Sequence, residues 1–337
     1  MKQALIREAR AQILEGAVSN DRHSVTTRCL DLTQKGVAPA HVITEILASV
    51  QVEVGWLWQT NRLSVSQEHT ATGVVDHALA AVALDCRTRP SGAKAVVACA
   101  EDNWHSLGAR MAAELLTLQG WTVTFLGAAT AADQLDQFLR NTNADLVAIS
   151  CALPTQFEGV RRQARVAADH GVAVAISGSA VTNEARAIAL GATRMAVDAT
   201  LTAFRPTGAS SRSDDTWLDT EERAGIRSAL SAERSTFVER ATLALANVIG
   251  DDSRVSQRVH EDCQSIVSFA DAAMVIGDPT VFSDFVEWMQ VVFTSRDVSA
   301  TLVQRYLDAI RSATPASLGP LNELIDHGLE GLDRLGR

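Results

Sequence analysis

The sequence predicts a multidomain chain of α and α/β type, and three features carry that expectation. Apolar residues keep helical spacing up to about residue 88, short β-rich runs then alternate with amphipathic helices to about residue 208, and helical spacing returns from 217 to 337. With 47% apolar and 21% charged side chains, 337 residues suffice for two or three packed domains and are too apolar for disorder.

In the first segment Ile43, Ile46, Leu47, Val50, Val54 and Leu57 recur every three or four residues, the stripe a helix buries. Residues 1–88 are therefore expected to form a helical bundle. Breaks are expected at Gly36-Val-Ala-Pro39 and at Asn61–Ser66, with Ser66 capping a helix that begins near Glu68. That places Glu68 and His69 at a helix start.

Thr88–Gly92 reads as a turn-rich linker. Beyond it, strand-like runs at 95–100, 122–126, 146–151, 172–176 and 195–197 alternate with helical stretches near 106–119, 131–141, 155–169 and 181–190. This βαβ rhythm defines a Rossmann-like parallel sheet over residues 89–208, whose ligands belong at the carboxyl ends of the strands. The polar stretch 205–216 reads as an exposed linker. From Trp217 onward the stripes Ile266, Phe269, Ala270, Ala273 and Phe282, Phe285, Met289, Val292 predict an all-α domain, with breaks at Gly250-Asp-Asp-Ser, Gly277-Asp-Pro and Thr314-Pro.

Composition limits the function classes. Lys plus Arg number 30 against 40 Asp plus Glu, a balance of −10 that disfavours nucleic acid as a partner. No apolar run approaches the ~20 residues of a membrane span, and the first residues lack a signal peptide's apolar core, so the cytoplasm is expected. The five cysteines are scattered without a Cys-x-x-Cys pair, which indicates reduced, mostly buried thiols. A Gly-x-Gly-x-x-Gly phosphate turn, a Walker loop, a kinase motif and a hydrolytic dyad are all missing, so no enzymatic turnover is expected.

His105-x-x-Gly108 after the first strand, Ser150 after the third and Gly178-Ser179 after the fourth together resemble the cobalamin-binding domain pattern Asp-x-His-x-x-Gly, Ser-x-Leu, Gly-Gly. The resemblance implies that His105 is the lower axial ligand of cobalt, while Gly108, Ser150, Gly178 and Ser179 leave room for a displaced nucleotide tail. Ligand histidines usually donate their other ring N–H to an acceptor. Here the residue two before His105 is Asn103, an uncharged acceptor, with Asp102 as the substitute if the loop is shifted. The second motif also departs, since Leu153 stands one place late.

Trp58, nine residues, then Glu68-His69 is similar to the Trp-x9-Glu-His pattern of light-sensing adenosylcobalamin regulators, in which a helical bundle precedes the cobalamin domain. By that resemblance Trp58 shields the adenosyl group, Glu68 binds its ribose and His69 lines the same pocket. Gln59 stands where those regulators carry a His, which puts a bis-histidine photoproduct in doubt. No helix-turn-helix precedes the bundle, so control through DNA is not expected.

In the last domain, the segment Thr294-Ser-Arg-Asp to Arg305-Tyr306 looks like the chromophore region of phycobiliproteins, a globin-like family that binds an open-chain tetrapyrrole. The resemblance implies that Asp297 faces the pyrrole N–H groups and Arg296 a propionate. Thr294 replaces the linking Cys, which leaves Cys263 as a remote candidate for attachment. The alternative is that Arg296-Asp297 caps a helix near its start in a bundle that dimerises. The whole arrangement resembles photocobilins, photoreceptors holding adenosylcobalamin and a bilin such as biliverdin, and implies signalling by domain or homo-oligomer rearrangement to a partner left unidentified. A corrinoid methyl carrier for a separate methyltransferase is the alternative. A scaffold without a second pigment is the third reading.

Overall fold

The computed structural model describes residues 2–86, 92–195, 218–249 and 253–335. The chain divides into two compact units, Met1–Ser211 and Arg212–Arg337. The expected linkers at 88–92 and 205–216, the break at Gly250 and the end of the expected strand 195–197 lie wholly or mainly outside the described residues.

The first unit opens with helices α1 (Lys2–Val18), α2 (Arg22–Gln34), α3 (Pro39–His41), a π-helical turn (Val42–Leu47), α4 (Ala48–Gln59) and α5 (Val65–Asp85). The apolar stripe is the reason they pack. Ile43, Ile46, Leu47, Val50 and Val54 are buried with Ile13, Cys29, Leu32, Val75 and Leu79 in one core. Helix α5 starts earlier than expected. Ser64, rather than Ser66, is the N-cap: its Oγ accepts the Gln67 backbone N–H at 3.3 Å and Gln67 Oε1 accepts the Ser64 N–H at 2.9 Å. Such a reciprocal capping box satisfies two helix-end donors at once, which a Ser66 cap cannot match.

The parallel sheet follows: β1 (Lys94–Cys99), α6 (Leu107–Leu118), β2 (Thr122–Gly127), α7 (Ala132–Leu139), β3 (Leu146–Ser150), α8 (Phe157–Asp169), β4 (Ala173–Ser177), α9 (Glu184–Ala189) and β5 (Thr193–Arg194). Strand order is β2-β1-β3-β4-β5, all parallel. The last strand ends before its expected span, and Met195 follows it with its N–H on the Ile176 carbonyl. Because strand side chains alternate, Ala95, Val97 and Cys99 of β1 face the same way as Leu146 and Ala148 of β3, in the register Ala95↔Leu146. That face is covered by Ala109, Ala112, Ala113 and Leu116 of α6.

Helix α6 is buried on two sides. Met111 and Leu115 belong to the bundle core, with Leu107 and Leu118 packed against it, while the alanine face lies on the sheet. Arg110 Nη1 also reaches both carboxylate oxygens of Asp76 on α5 at 2.6 Å. The two expected domains at 1–88 and 89–208 therefore share one helix.

The second unit is helical: α10 (Thr220–Ile249), α11 (Ser253–Ile276), α12 (Thr280–Thr294), α13 (Thr301–Ala313) and α14 (Leu321–Leu335). The expected stripes meet, with the Phe269 and Phe285 rings stacked at a 3.8 Å centroid distance. Among the described residues no helix is long and apolar enough to cross a membrane.

If α6 joins bundle to sheet through buried apolar side chains, Leu115→Ala should cost about 2–5 kcal/mol. Urea unfolding followed by circular dichroism checks this, the expected result being a lower midpoint at an unchanged slope.

Candidate functional site

In a 2-1-3-4-5 parallel sheet the chain turns to opposite sides between β1 and β3, and ligands bind in the crevice beyond the strand ends at that point. The loops after β1 and β3 flank it. The Ser150 carbonyl accepts the Ala100 N–H at 2.8 Å and the Asn103 Nδ2–H at 2.9 Å, so both lone pairs are used. Asn103 is fully buried, and its Oδ1 accepts the backbone N–H of His105 at 3.0 Å. The oxygen of Asn103 thus holds the His105 backbone. The His105 side chain is exposed at the crevice. Asp102 is exposed in a left-handed conformation, φ 62°.

Small residues stand at the start of α6 and at the ends of β3 and β4. A Cβ added to Gly108 would stand 3.6 Å from Ser150 Oγ, so these two positions face each other across ordinary van der Waals contact. Gly178 has φ 110°, and a Cβ there would lie 2.1 Å from the Cys151 carbonyl oxygen. Only glycine fits. Ser179 Oγ donates to the Ala152 carbonyl at 2.7 Å, which ties the β4 loop to the β3 loop. The late Leu153 is 41% exposed, and Gln156 Oε1 accepts its N–H at 3.1 Å.

The bundle residues stand on other elements. Trp58, near the end of α4, is half-buried against the bundle core. Glu68, in the first turn of α5, accepts the Thr72 hydroxyl at 2.8 Å, and Thr72 Oγ1 in turn accepts from Gln51 Nε2 at 2.8 Å. His69 Nε2 lies 3.5 Å from Glu68 Oε2 and is mostly exposed. A carboxylate has about four acceptor sites, so Glu68 keeps capacity for further hydroxyl donors. The structure thus places His105, Gly108, Ser150, Gly178 and Ser179 at the carboxyl end of the sheet. Trp58, Glu68 and His69 remain with the bundle, linked to that end through α6.

Sequence reasoning missed one buried amide. Beyond Asn103, Gln163 of α8 is fully buried and donates from Nε2 to the Cys99 carbonyl at 3.1 Å and the Thr130 carbonyl at 2.8 Å. A polar residue on the apolar face of α8 was the available signal. The exposed Trp104, 77% accessible beside His105, was also passed over.

In the second unit, Arg296-Asp297 follows α12 instead of starting a helix. Asp297 is exposed with φ 58°, its N–H bonds the Thr294 carbonyl, and the Val298 N–H bonds the Phe293 carbonyl at 3.0 Å. This is a Schellman ending, with Asp in the left-handed place usually taken by glycine. Arg296 Nη1 donates to the Val292 carbonyl at 3.0 Å, which the negative end of a helix favours. The expected cap near a helix start is corrected to one at a helix end. Cys263 is fully buried and burial pushes its thiol up to about 11, so it is poorly placed for attachment. A cavity of about 280 Å³ in this unit is lined by Arg234, Ser235, Val238, Glu239, His260, Gln264 and Ser268, outside the 294–306 segment.

Among the described residues no three His, Cys, Asp or Glu side chains cluster to hold a bare metal ion. The exposed His105 and the small residues Gly108, Ser150 and Gly178 would fit a corrin held by one imidazole. Family models described as B12 binding domain match residues 93–203 and residues 9–83. The first unit is thereby of the B12-binding type, with a helical part ahead of a parallel sheet. The chain is 28% identical over 156 residues to the HTH-type transcriptional repressor CarH of Myxococcus xanthus, covering 45% of this chain and 51% of that protein. It is 32% identical over 106 residues to the repressor CarA of the same organism, covering 31% and 37%. The match thus spans about half or less of these relatives' length. The monomethylamine corrinoid protein of Methanosarcina barkeri shares the fold at a TM-score of 0.52 and 16% identity, over 58% of this chain and 95% of that one.

The two glycines should behave differently when changed to alanine. Gly178→Ala forces a backbone clash in a left-handed conformation and should cost at least roughly 1–3 kcal/mol. Gly108→Ala should leave the melting temperature of the apoprotein unchanged and weaken corrin binding by narrowing the slot. Differential scanning calorimetry and cobalamin titration check the pair.

Proposed function

We propose that this chain is a cytoplasmic light sensor that binds adenosylcobalamin in its first unit, with His105 below the corrin and Trp58, Glu68 and His69 above it. The observation that carries the reading is the exposed His105 in the loop after β1 at the sheet's switch point, with Gly108 facing Ser150 and Gly178 close against Cys151 at the ends of the neighbouring strands. Those small residues leave space for the nucleotide tail. Trp58 offers an indole whose exposed part can cover an apolar adenosyl face, and Glu68 can accept the ribose hydroxyls. When bound, the group supplies a cobalt–carbon bond that visible light breaks.

The chain's own part is to bind, shield and respond. Helix α6 carries Gly108 near its start and packs on the bundle through Met111 and Leu115. A change of packing at Trp58 and Glu68 can therefore be passed through one rigid helix to the sheet, or to a homo-oligomer interface. Differential packing of the bundle in the two states supplies the coupling energy.

A bilin such as biliverdin in the second unit rests on the resemblance of residues 294–306 alone, since Arg296 and Asp297 already serve the end of α12. Reconstitution of the full chain with biliverdin should give a red-absorbing band if those residues also meet a pigment. The methyl-carrier reading requires an upper face open to two enzymes, which a covering Trp58 and a ribose-binding Glu68 would not favour.

Green illumination of the purified holoprotein should change the cobalamin absorption spectrum and the scattering mass. An unchanged spectrum together with an unchanged mass would defeat the reading. His105→Ala should abolish protein ligation to cobalt and weaken corrin retention.

A further inference from the structure

We propose that Asn103 is a positioning residue for His105 that acts through the loop backbone, so that a carboxylate at position 103 weakens axial ligation where a ring-polarising role would strengthen it. The inference rests on the reading that His105 ligates cobalt. Its ground is the full hydrogen-bond inventory of one buried side chain.

Asn103 touches three segments at once. Its Nδ2 donates to the Ser150 carbonyl at the end of β3, and its Oδ1 accepts the His105 N–H within the β1–α6 loop. Its backbone carbonyl accepts the Ala129 N–H at 2.9 Å, in the β2–α7 loop, where Ala129 is left-handed with φ 48°. Its own N–H bonds the Ala100 carbonyl at 2.9 Å and closes the turn. The side chain is fully buried, so water replaces none of these bonds.

The orientation of the amide is fixed by chemistry. One neighbour is a carbonyl, which only accepts, and the other is an N–H, which only donates. A flipped amide would meet oxygen with oxygen and N–H with N–H. Asp in the same place keeps the acceptor for His105 and loses the donor for Ser150. Its second oxygen would face the Ser150 carbonyl at the 2.9 Å now spanned by the hydrogen bond, inside a dry site where a charge is costly. The exposed His105 ring stands on a backbone that Asn103 fixes through the His105 N–H. Loop position, set by Asn103, then decides where the ring nitrogen points.

The test uses the full chain labelled with ¹⁵N-histidine and loaded with cob(II)alamin. Electron paramagnetic resonance then separates the ligand: a protein histidine gives a doublet on the cobalt lines, and the cofactor's own ¹⁴N base gives a triplet. Wild type should show the doublet, and Asn103→Asp and Asn103→Ala should each lose most of it, with at least a tenfold weaker cobalamin affinity. In the apoprotein both variants should exchange amide hydrogens faster at His105 and Ala129, a readout that needs no cofactor. Should Asn103→Asp fail to fold, Asn103→Ala, which buries no charge, carries the test. A doublet kept or strengthened in Asn103→Asp, or unchanged exchange in Asn103→Ala, overturns the Asn103 inference alone. A wild-type protein without the doublet overturns the His105 ligation on which it rests.

Discussion

The double burial of α6 is the constraint on which the first unit depends. One face of the helix is alanine-rich, with Ala109, Ala112 and Ala113 lying on Ala95, Val97 and Ala148 of the sheet. Small side chains let helix and sheet approach closely. The other face carries the larger Met111 and Leu115 into the core formed by the bundle. A helix with apolar residues on two faces cannot be solvated on either, so bundle and sheet are held together by the removal of the same helix from water. The Asp76–Arg110 pair is partly exposed and adds orientation more than stability.

This arrangement gives the candidate site its character. The sheet supplies rigid strand ends, and the loops beyond them are held by buried amide side chains together with the Arg162–Glu101 pair, in which Arg162 Nη2 lies 2.9 Å from Glu101 Oε2. Asn103 and Gln163 are both fully buried and both bond main-chain carbonyls. A neutral amide is buried in a dry crevice without the desolvation cost of a charge, and His105 stands exposed beside it. On the bundle side, the Gln51–Thr72–Glu68 chain holds one carboxylate oxygen within the helical pair α4 and α5.

Much of the fold was legible because periodicity reports burial directly. The alternation of β-rich runs and helices placed each strand of the sheet to within a few residues, and the stripe from Ile43 to Leu57 named side chains that are now core. What escaped was decided by local hydrogen bonding. The start of α5 moved to Ser64 because Gln67 could answer it, a reciprocity that a list of capping residues does not reveal. Arg296-Asp297 looked like a ligand pair or a helix start and lies at a helix end, since a left-handed Asp can close a Schellman turn.

By itself the sequence determined the order of helical and β-rich segments, the acidic and reduced character of the chain, and the spacing of His105, Gly108, Ser150 and Gly178. These follow from side-chain type and period, which do not need long-range contacts. Tertiary structure alone decided that Asn103 serves the backbone of His105, that Gly178 must lack a Cβ against the Cys151 carbonyl, and that bundle and sheet share α6. Each of those depends on which atoms from distant parts of the chain come within a few ångströms, a quantity that no local pattern encodes.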